Sequence, residues 1–364
     1  MNVYGLNSKP TTSASTHSAH TKHFYFAMSI NYVTQGLPAA PEISIKTVHM
    51  AGLRVDVYGL DELPPNVPVS CLWLLHPRTR SRETMNDIAR RTIGAWGAHA
   101  GSNSKRGLIA LAFDMPNHGT RRVSISANHP WSRGNPTHAL DMFAMVKGGV
   151  LDMSGLMDLV SGYLGLEIDG HVCLGWSLGG HGAWQAFFGE KRIDAAVVII
   201  GCPDFIGLMS GRAAGSKLDC GADFIGSKYF PKDLIDICSK HDPKAICFGT
   251  APIPSSLSSA EQTRLRAILD ERVKGKKLLL CSGGDDELVP YANTKEFSTL
   301  LKEAVGEKGW YRDGGLEVDD RVYEGIGHKF SPKMVEDAVQ FLVNAVEKGP
   351  RGKAHVREGE KSVL

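Results

Sequence analysis

Apolar residues recur along this chain in two rhythms. Short, nearly unbroken runs occur at VSCLWLLH (69–76), GLIALAFD (107–114), HVCLGW (171–176), AAVVIIG (195–201) and KKLLLCSG (276–283). Such runs read as strands covered on both faces. Before them, ISIKTVHM (43–50) and GLRVDVYG (52–59) alternate and meet at a glycine, which predicts an opening hairpin. Helical patterns fill the spaces at 84–99, at 137–163 with glycine interruptions, and at 291–305. DRVYEGIG (320–327) reads as the last strand. The stretch from Ser331 to Lys348 is a strongly amphipathic helix with Ser331 as N-cap and Pro332 in its first turn. Strands alternating with helices after a hairpin predict an α/β chain with a mostly parallel, doubly wound sheet. Residues 202–272 break that rhythm with glycine, serine, proline and short helical pieces, and read as an insertion after the sixth strand.

Composition narrows the partners. The 364 residues carry a formal charge of +2 and 42% hydrophobic residues, so a sizeable core is expected. So small a net charge, with no basic run interleaved with aromatics, argues against nucleic acid. No apolar stretch approaches the roughly 20 residues of a membrane span. Seven cysteines without C-x-x-C or zinc spacing read as reduced core residues, and no metal or cofactor is implied. Residues 1–41 contain no Asp, Glu or Arg and are expected to be a disordered extension. A cytoplasmic location is expected, with organelle targeting by that extension left open. Residues 348–364 read as a flexible tail.

One cluster asks for a chemical reason. In CLGWSLGGHGAW, Cys173 to Trp184, a serine stands among four glycines between a buried strand and a helix. Gly175-Trp176-Ser177-Leu178-Gly179 fits G-x-S-x-G in the context that gives the pattern meaning. A tight strand-to-helix turn lifts the serine hydroxyl clear of the sheet and leaves no room for side chains two positions away. The helix N-terminus supplies amide hydrogens where an oxyanion would form. Serine is a weak nucleophile and needs an oriented base. Asp285 and Asp286 lie just past one later strand, and His328 just past the next, giving the order Ser…Asp…His on three separate loops.

These residues resemble the α/β-hydrolase superfamily over about 43–347, with GGHGAW similar to its serine-esterase and prolyl-peptidase arm. The acid loop GGDDELVP resembles the family's G-x-x-D-x-x-V-P, a register that selects Asp286. GIGHKF resembles its histidine loop, and FDMPNHGTR its D-x-P-G-H-G turn with Asn117 in place of the first glycine. The resemblance implies an α/β-hydrolase domain over 42–347, the insertion at 203–272 acting as a cap. It further implies a serine hydrolase of small-molecule carboxylic esters, using Ser177, Asp286 and His328. Thioesterase, peptidase and acyltransferase chemistry use the same residues. A non-catalytic ligand receptor shares the fold.

The oxyanion loop departs from the family pattern. In LLHPRTRSR, Pro77 has no amide to donate, so the expected donors are the N–H groups of Leu178 and Arg78, with Thr79 as the alternative to Arg78. Arg78, Arg80 and Arg82 read either as a solvated loop or as attractors of an acidic substrate group. His76 is expected to shape this loop, and His118, His138 and His181 to be structural. Trp131 and Asn135 look too specific for a random loop, without a chemical role. Within the cap, Phe224 and Tyr229 are the expected substrate-binding residues.

Overall fold

The structure, a computed structural model, describes residues 36–101, 104–220 and 223–351. Most of the expected N-terminal extension and the end of the expected tail thus lie outside the described residues. The chain opens with β1 (Ile45–Met50) and β2 (Leu53–Tyr58), paired antiparallel as the alternation predicts. Their turn places Ala51 at φ 49° and Gly52 at φ 80°, the two left-handed residues that suit a tight hairpin between right-twisted strands. The remaining strands are β3 (Val69–Leu75), β4 (Gly107–Phe113), β5 (Ile168–Trp176), β6 (Ile193–Ile199), β7 (Lys277–Gly283) and β8 (Glu317–Tyr323). They form one sheet in the order β1-β2-β4-β3-β5-β6-β7-β8. Only β2 runs antiparallel to its neighbours; β4 through β8 are parallel to β3.

Nine α-helices are described: α1 (Asn86–Ala100), α2 (His138–Leu164), α3 (Leu178–Gly189), α4 (Phe205–Gly215), α5 (Lys232–His241), α6 (Pro243–Phe248), α7 (Ser259–Arg272), α8 (Ala292–Val305) and α9 (Pro332–Lys348). The two-residue period of the strands sorts their side chains between two helical layers. Cys71, Trp73 and Leu75 of β3 pack with residues of α2 and α3, whereas Leu72 and Leu74 pack with α1 and α9. In α9 the caps are as read: the Ser331 hydroxyl accepts from Met334 N and Pro332 opens the helix. Its stripe of Met334, Val335, Ala338, Leu342, Val343 and Val346 is buried, at roughly 2 kcal/mol for each large side chain.

The glycines of α2 do not interrupt it. At Gly148 and Gly149 a Cβ would come within 2.8 Å of Pro116 and Met115, so these positions let the loop after β4 lie directly on the helix. That loop is built around Asn117, which stands at φ 60°, a conformation glycine or asparagine accommodates best. Its side chain donates to Ser124 O and accepts from the amides of Val123 and Ser124. Asp114 fixes the start of the same loop by accepting from Thr120 N and from Arg82 N.

Arg82 is thereby removed from the possible attractors of substrate. It pairs with Asp56 at 2.9 Å, Glu83 at 2.9 Å and Asp114 at 3.0 Å, and its guanidinium is buried among them. All seven cysteines are free, six of them buried. Among the described residues no helix is long and apolar enough to cross a membrane, and no cluster of His, Cys, Asp or Glu fits a metal ion.

Candidate active site

Strand β5 ends in a turn that reverses into α3 within a single residue. Ser177 occupies it with φ 54° and ψ −110°, a conformation that costs on the order of 1–3 kcal/mol for a residue with a side chain. The Ser177 amide donates to Ile199 O at 2.9 Å, tying the turn to β6. Two glycines make the turn possible. A Cβ on Gly175 would sit 1.8 Å from Gly179 O, and one on Gly179 would sit 2.0 Å from Leu75 O.

The histidine and acid loops meet this turn from β8 and β7. Asp285 N donates to Ile326 O and Gly284 N to Tyr323 O, so the two loops are joined by their main chains. His328 Nε2 lies 2.8 Å from Ser177 Oγ, and His328 Nδ1 lies 2.8 Å from Asp286 Oδ2. The other carboxylate oxygen, Oδ1, accepts from the amides of Leu288 and Val289 at 2.9 Å each. With its side chain wholly buried and both oxygens engaged, Asp286 is held in one orientation. Asp285 points its residue to solvent and makes no such contact. This arrangement leaves Nδ1 as the protonated nitrogen of a neutral His328 and Nε2 as the acceptor for the serine proton.

A cavity of about 610 Å³ opens over Ser177. Leu178 lines it as the first residue of α3, where helix amides have no intrahelical acceptor. Arg78 also lines it. The orientation of its amide follows from His76. Met115 N donates to His76 Nε2 at 3.0 Å, so Nδ1 carries the proton and donates to Pro77 O at 2.9 Å. In a trans peptide the Arg78 N–H points opposite to that carbonyl, away from the buried imidazole. Burial above all keeps His76 neutral, its pKa lowered to about 4.

Phe224 and Tyr229 are not among the residues lining the cavity, contrary to the sequence expectation. Both rings meet Trp131 edge-on, at 5.7 and 6.4 Å, so the Trp131 ring takes up the surface they would otherwise present. Among the described residues of the insertion at 203–272, only Arg212 of α4 reaches the cavity; α5, α6 and α7 pack on α3 instead. The wall comes from the loop after β4, through Asn128, His129, Pro130, Ser132 and Arg133. Trp131 and Asn135 brace that loop. Asn135 Nδ2 donates to Ala127 O, His129 O and Asp141 Oδ2, and Trp131 Nε1 donates to Pro136 O. The specificity of HPWSRGNPTHALDM was the one signal in the sequence for this wall.

His118, His138 and His181, expected to be structural, are all buried. Burial, reinforced by the charges of Arg78 and Arg212, lowers His138 to a pKa of about 3. Burial and then Arg212 do the same for His181, which lines the cavity floor beside Cys202.

No family model matches the chain, and no curated protein does. Solved structures do. TT1662 from Thermus thermophilus is 18% identical with a TM-score of 0.50, over 84% of this chain and 99% of that one. An esterase from Pyrococcus furiosus is 15% identical (TM-score 0.45, 84% and 92% covered), and an S-formylglutathione hydrolase from Agrobacterium tumefaciens is 14% identical (TM-score 0.45, 83% and 94%). The first of these likenesses is one of fold; what the site does rests on its own geometry.

Proposed function

The chain has the α/β-hydrolase fold, and on that scaffold we propose that it is a serine hydrolase of small-molecule carboxylic esters. One observation carries the reading: Ser177 Oγ, held in a strained turn, stands 2.8 Å from His328 Nε2, whose other nitrogen stands 2.8 Å from buried Asp286. A solvated serine needs neither the strain nor the partners.

In the proposed reaction His328 Nε2 takes the Ser177 proton as Oγ attacks the acyl carbon. Asp286 holds the imidazole and stabilises the imidazolium that forms. The oxyanion is met by the N–H of Leu178 and the N–H of Arg78, which makes no hydrogen bond of its own among the described residues. The imidazolium then protonates the departing alcohol. Water, deprotonated by the same nitrogen, attacks the acyl-enzyme, and Ser177 recovers its proton as the acid leaves. No metal or cofactor enters these steps.

A fluorophosphonate probe tests the reading, since only an activated serine attacks phosphorus quickly. Ser177 is the expected site of labelling, and Ser177→Ala and His328→Ala abolish it. Labelling that persists in Ser177→Ala overturns the assignment. A matched panel of ester, thioester, amide and acyl-acceptor reactions then separates ester hydrolysis from the other acyl transfers this site can perform. Binding without turnover of any member points to a receptor.

A further inference from the structure

The cavity over Ser177 is lined by arginine and lysine at five positions, Arg78, Arg80, Arg133, Arg212 and Lys329, and by no Asp or Glu. Exposed cations on a rim are ordinary. Two of these are not on the rim. Arg78 Nη1 and Arg212 Nε are sealed from solvent, and neither atom has a hydrogen-bond partner among the described residues. Arg212 otherwise donates to Leu288 O at 2.8 Å, and its Nη1 meets the Met142 thioether, a weak acceptor, at 3.2 Å. Neither guanidinium forms an ion pair among the described residues, unlike Arg82, which is ion-paired with three carboxylates. Burial, followed by their mutual repulsion, lowers Arg212 to a pKa of about 10, and burial with Arg133 lowers Arg78. A guanidinium stays protonated at neutral pH, so both are charged, and each keeps a nitrogen without a partner.

Keeping two charged guanidiniums near each other and out of water is expensive unless an anion joins them. We propose that the substrate carries a carboxylate, bound by the side chains of Arg78 and Arg212, so that the enzyme acts on esters of acidic molecules. The inference rests on the hydrolase reading for its chemistry, although not for its binding site. Charge favours an anion: Asp286, the one carboxylate whose charge reaches Arg212, is already engaged by His328 and two backbone amides. The fork of each guanidinium matches a carboxylate's two oxygens. Exposed Arg133 and Lys329 add a positive potential at the mouth that draws such a ligand in. The placement also gives the insertion a function. Among the insertion's described residues Arg212 alone lines the cavity, and it joins α4 to the acid loop through Leu288 O.

The test compares matched substrates on the intact chain. One pair puts the charge on the acyl side: mono-4-nitrophenyl adipate against 4-nitrophenyl hexanoate. The other puts it on the alcohol side: 4-acetoxybenzoate against 4-acetoxybenzamide. In one pair the acidic ester should win by at least about tenfold in kcat/KM, the gain of a charge-assisted pair over a neutral one. That preference should fall below about threefold in Arg212→Gln and in Arg78→Gln, whereas Arg212→Lys, which keeps the charge but loses the fork, should retain part of it. Turnover of the neutral esters with no preference for either acidic one overturns the inference and leaves the hydrolase reading standing. A binding arm separates the opposite failure. Ser177→Ala, followed by saturation-transfer NMR, should bind benzoate at least about tenfold more tightly than benzamide. Benzoate binding in a chain that hydrolyses nothing and takes no probe would sustain the carboxylate site and refute the hydrolase; equal binding of the two would refute the site.

Discussion

His328 Nδ1 stands 2.8 Å from Asp286 Oδ2, while Asp285, one residue earlier, faces solvent. The pair is held from the main chain: Leu288 N and Val289 N secure the carboxylate, and Ile326 O secures the histidine loop by accepting from Asp285 N. Adjacent carboxylates therefore have separable tasks. Asp286→Asn should lower kcat by on the order of a thousandfold, because the amide no longer stabilises the imidazolium. Asp285→Asn should stay within about twofold, since its backbone does the work. Steady-state kinetics on one ester decides, and similar losses in both variants would mean the acid role is shared.

Gly179→Ala tests the turn. Its Cβ would meet a carbonyl oxygen of the central strand at 2.0 Å, with no flexible side chain to yield. Stability should fall by about 2 kcal/mol or more, and labelling of Ser177 should fall with it. A variant of unchanged melting temperature and labelling rate would show that the turn tolerates a side chain.

Phe224→Ala should act on stability and leave selectivity alone. The ring packs edge-on to Trp131 and tilted against Phe230 behind the cavity wall, and truncation should cost roughly 2–4 kcal/mol. Relative kcat/KM across acyl lengths should change by less than about threefold. A large change confined to long substrates would put the ring in the pocket.

Five buried histidines make the fold sensitive to acid, His118 among them, its pKa held down by burial first. Burial is the leading cause in each: His76 and His171 are lowered to about 4, His138 and His181 to about 3. A base depressed in the folded state is neutral there while the unfolded chain takes up the proton, so the unfolded form gains as pH drops below 6.5. Each of His76, His138, His171 and His181 should remove up to about 1.4 kcal/mol per pH unit between roughly 6.5 and 4. Urea unfolding at pH 7, 6 and 5 measures the slope, and a flat profile down to pH 5 would contradict the burial.

Lys276 gives the opposite end of the pH range. Its ammonium is buried against the C-terminus of α3, donating to Phe187 O at 2.7 Å and Glu190 O at 2.8 Å. Burial, then the charge of Arg351, lowers it to about 7. Above that value the folded lysine is neutral while the unfolded one stays protonated up to its ordinary value, so stability should rise as pH goes from 7 to 8.5. The slope should approach about 1.4 kcal/mol per unit and disappear in Lys276→Met. An identical slope in wild type and variant would assign the rise to other groups.

Much of this molecule was written in short-range pattern. Unbroken apolar runs gave seven residues of β3 and seven of β4 with every position buried, because a strand covered on both faces needs nothing else. Ser331 and Pro332 marked the start of α9 because capping is a matter of three or four consecutive residues. The candidate nucleophile, acid and base were legible for a related reason. Each follows a buried strand, parallel strands put their carboxyl ends on one edge, and the sheet then brings 177, 286 and 328 together. What pattern could not carry was the pairing of groups remote in sequence. Three arginines in RTRSR look alike on paper, yet Asp56 and Asp114 neutralise Arg82 while Arg78 stays unpaired beside Arg212. Trp131 rather than the insertion's aromatics backs the cavity wall, since rings 93 or more positions apart had first to be packed against one another. Charge compensation and pocket shape depend on distances in space, and those exist only once the chain has folded.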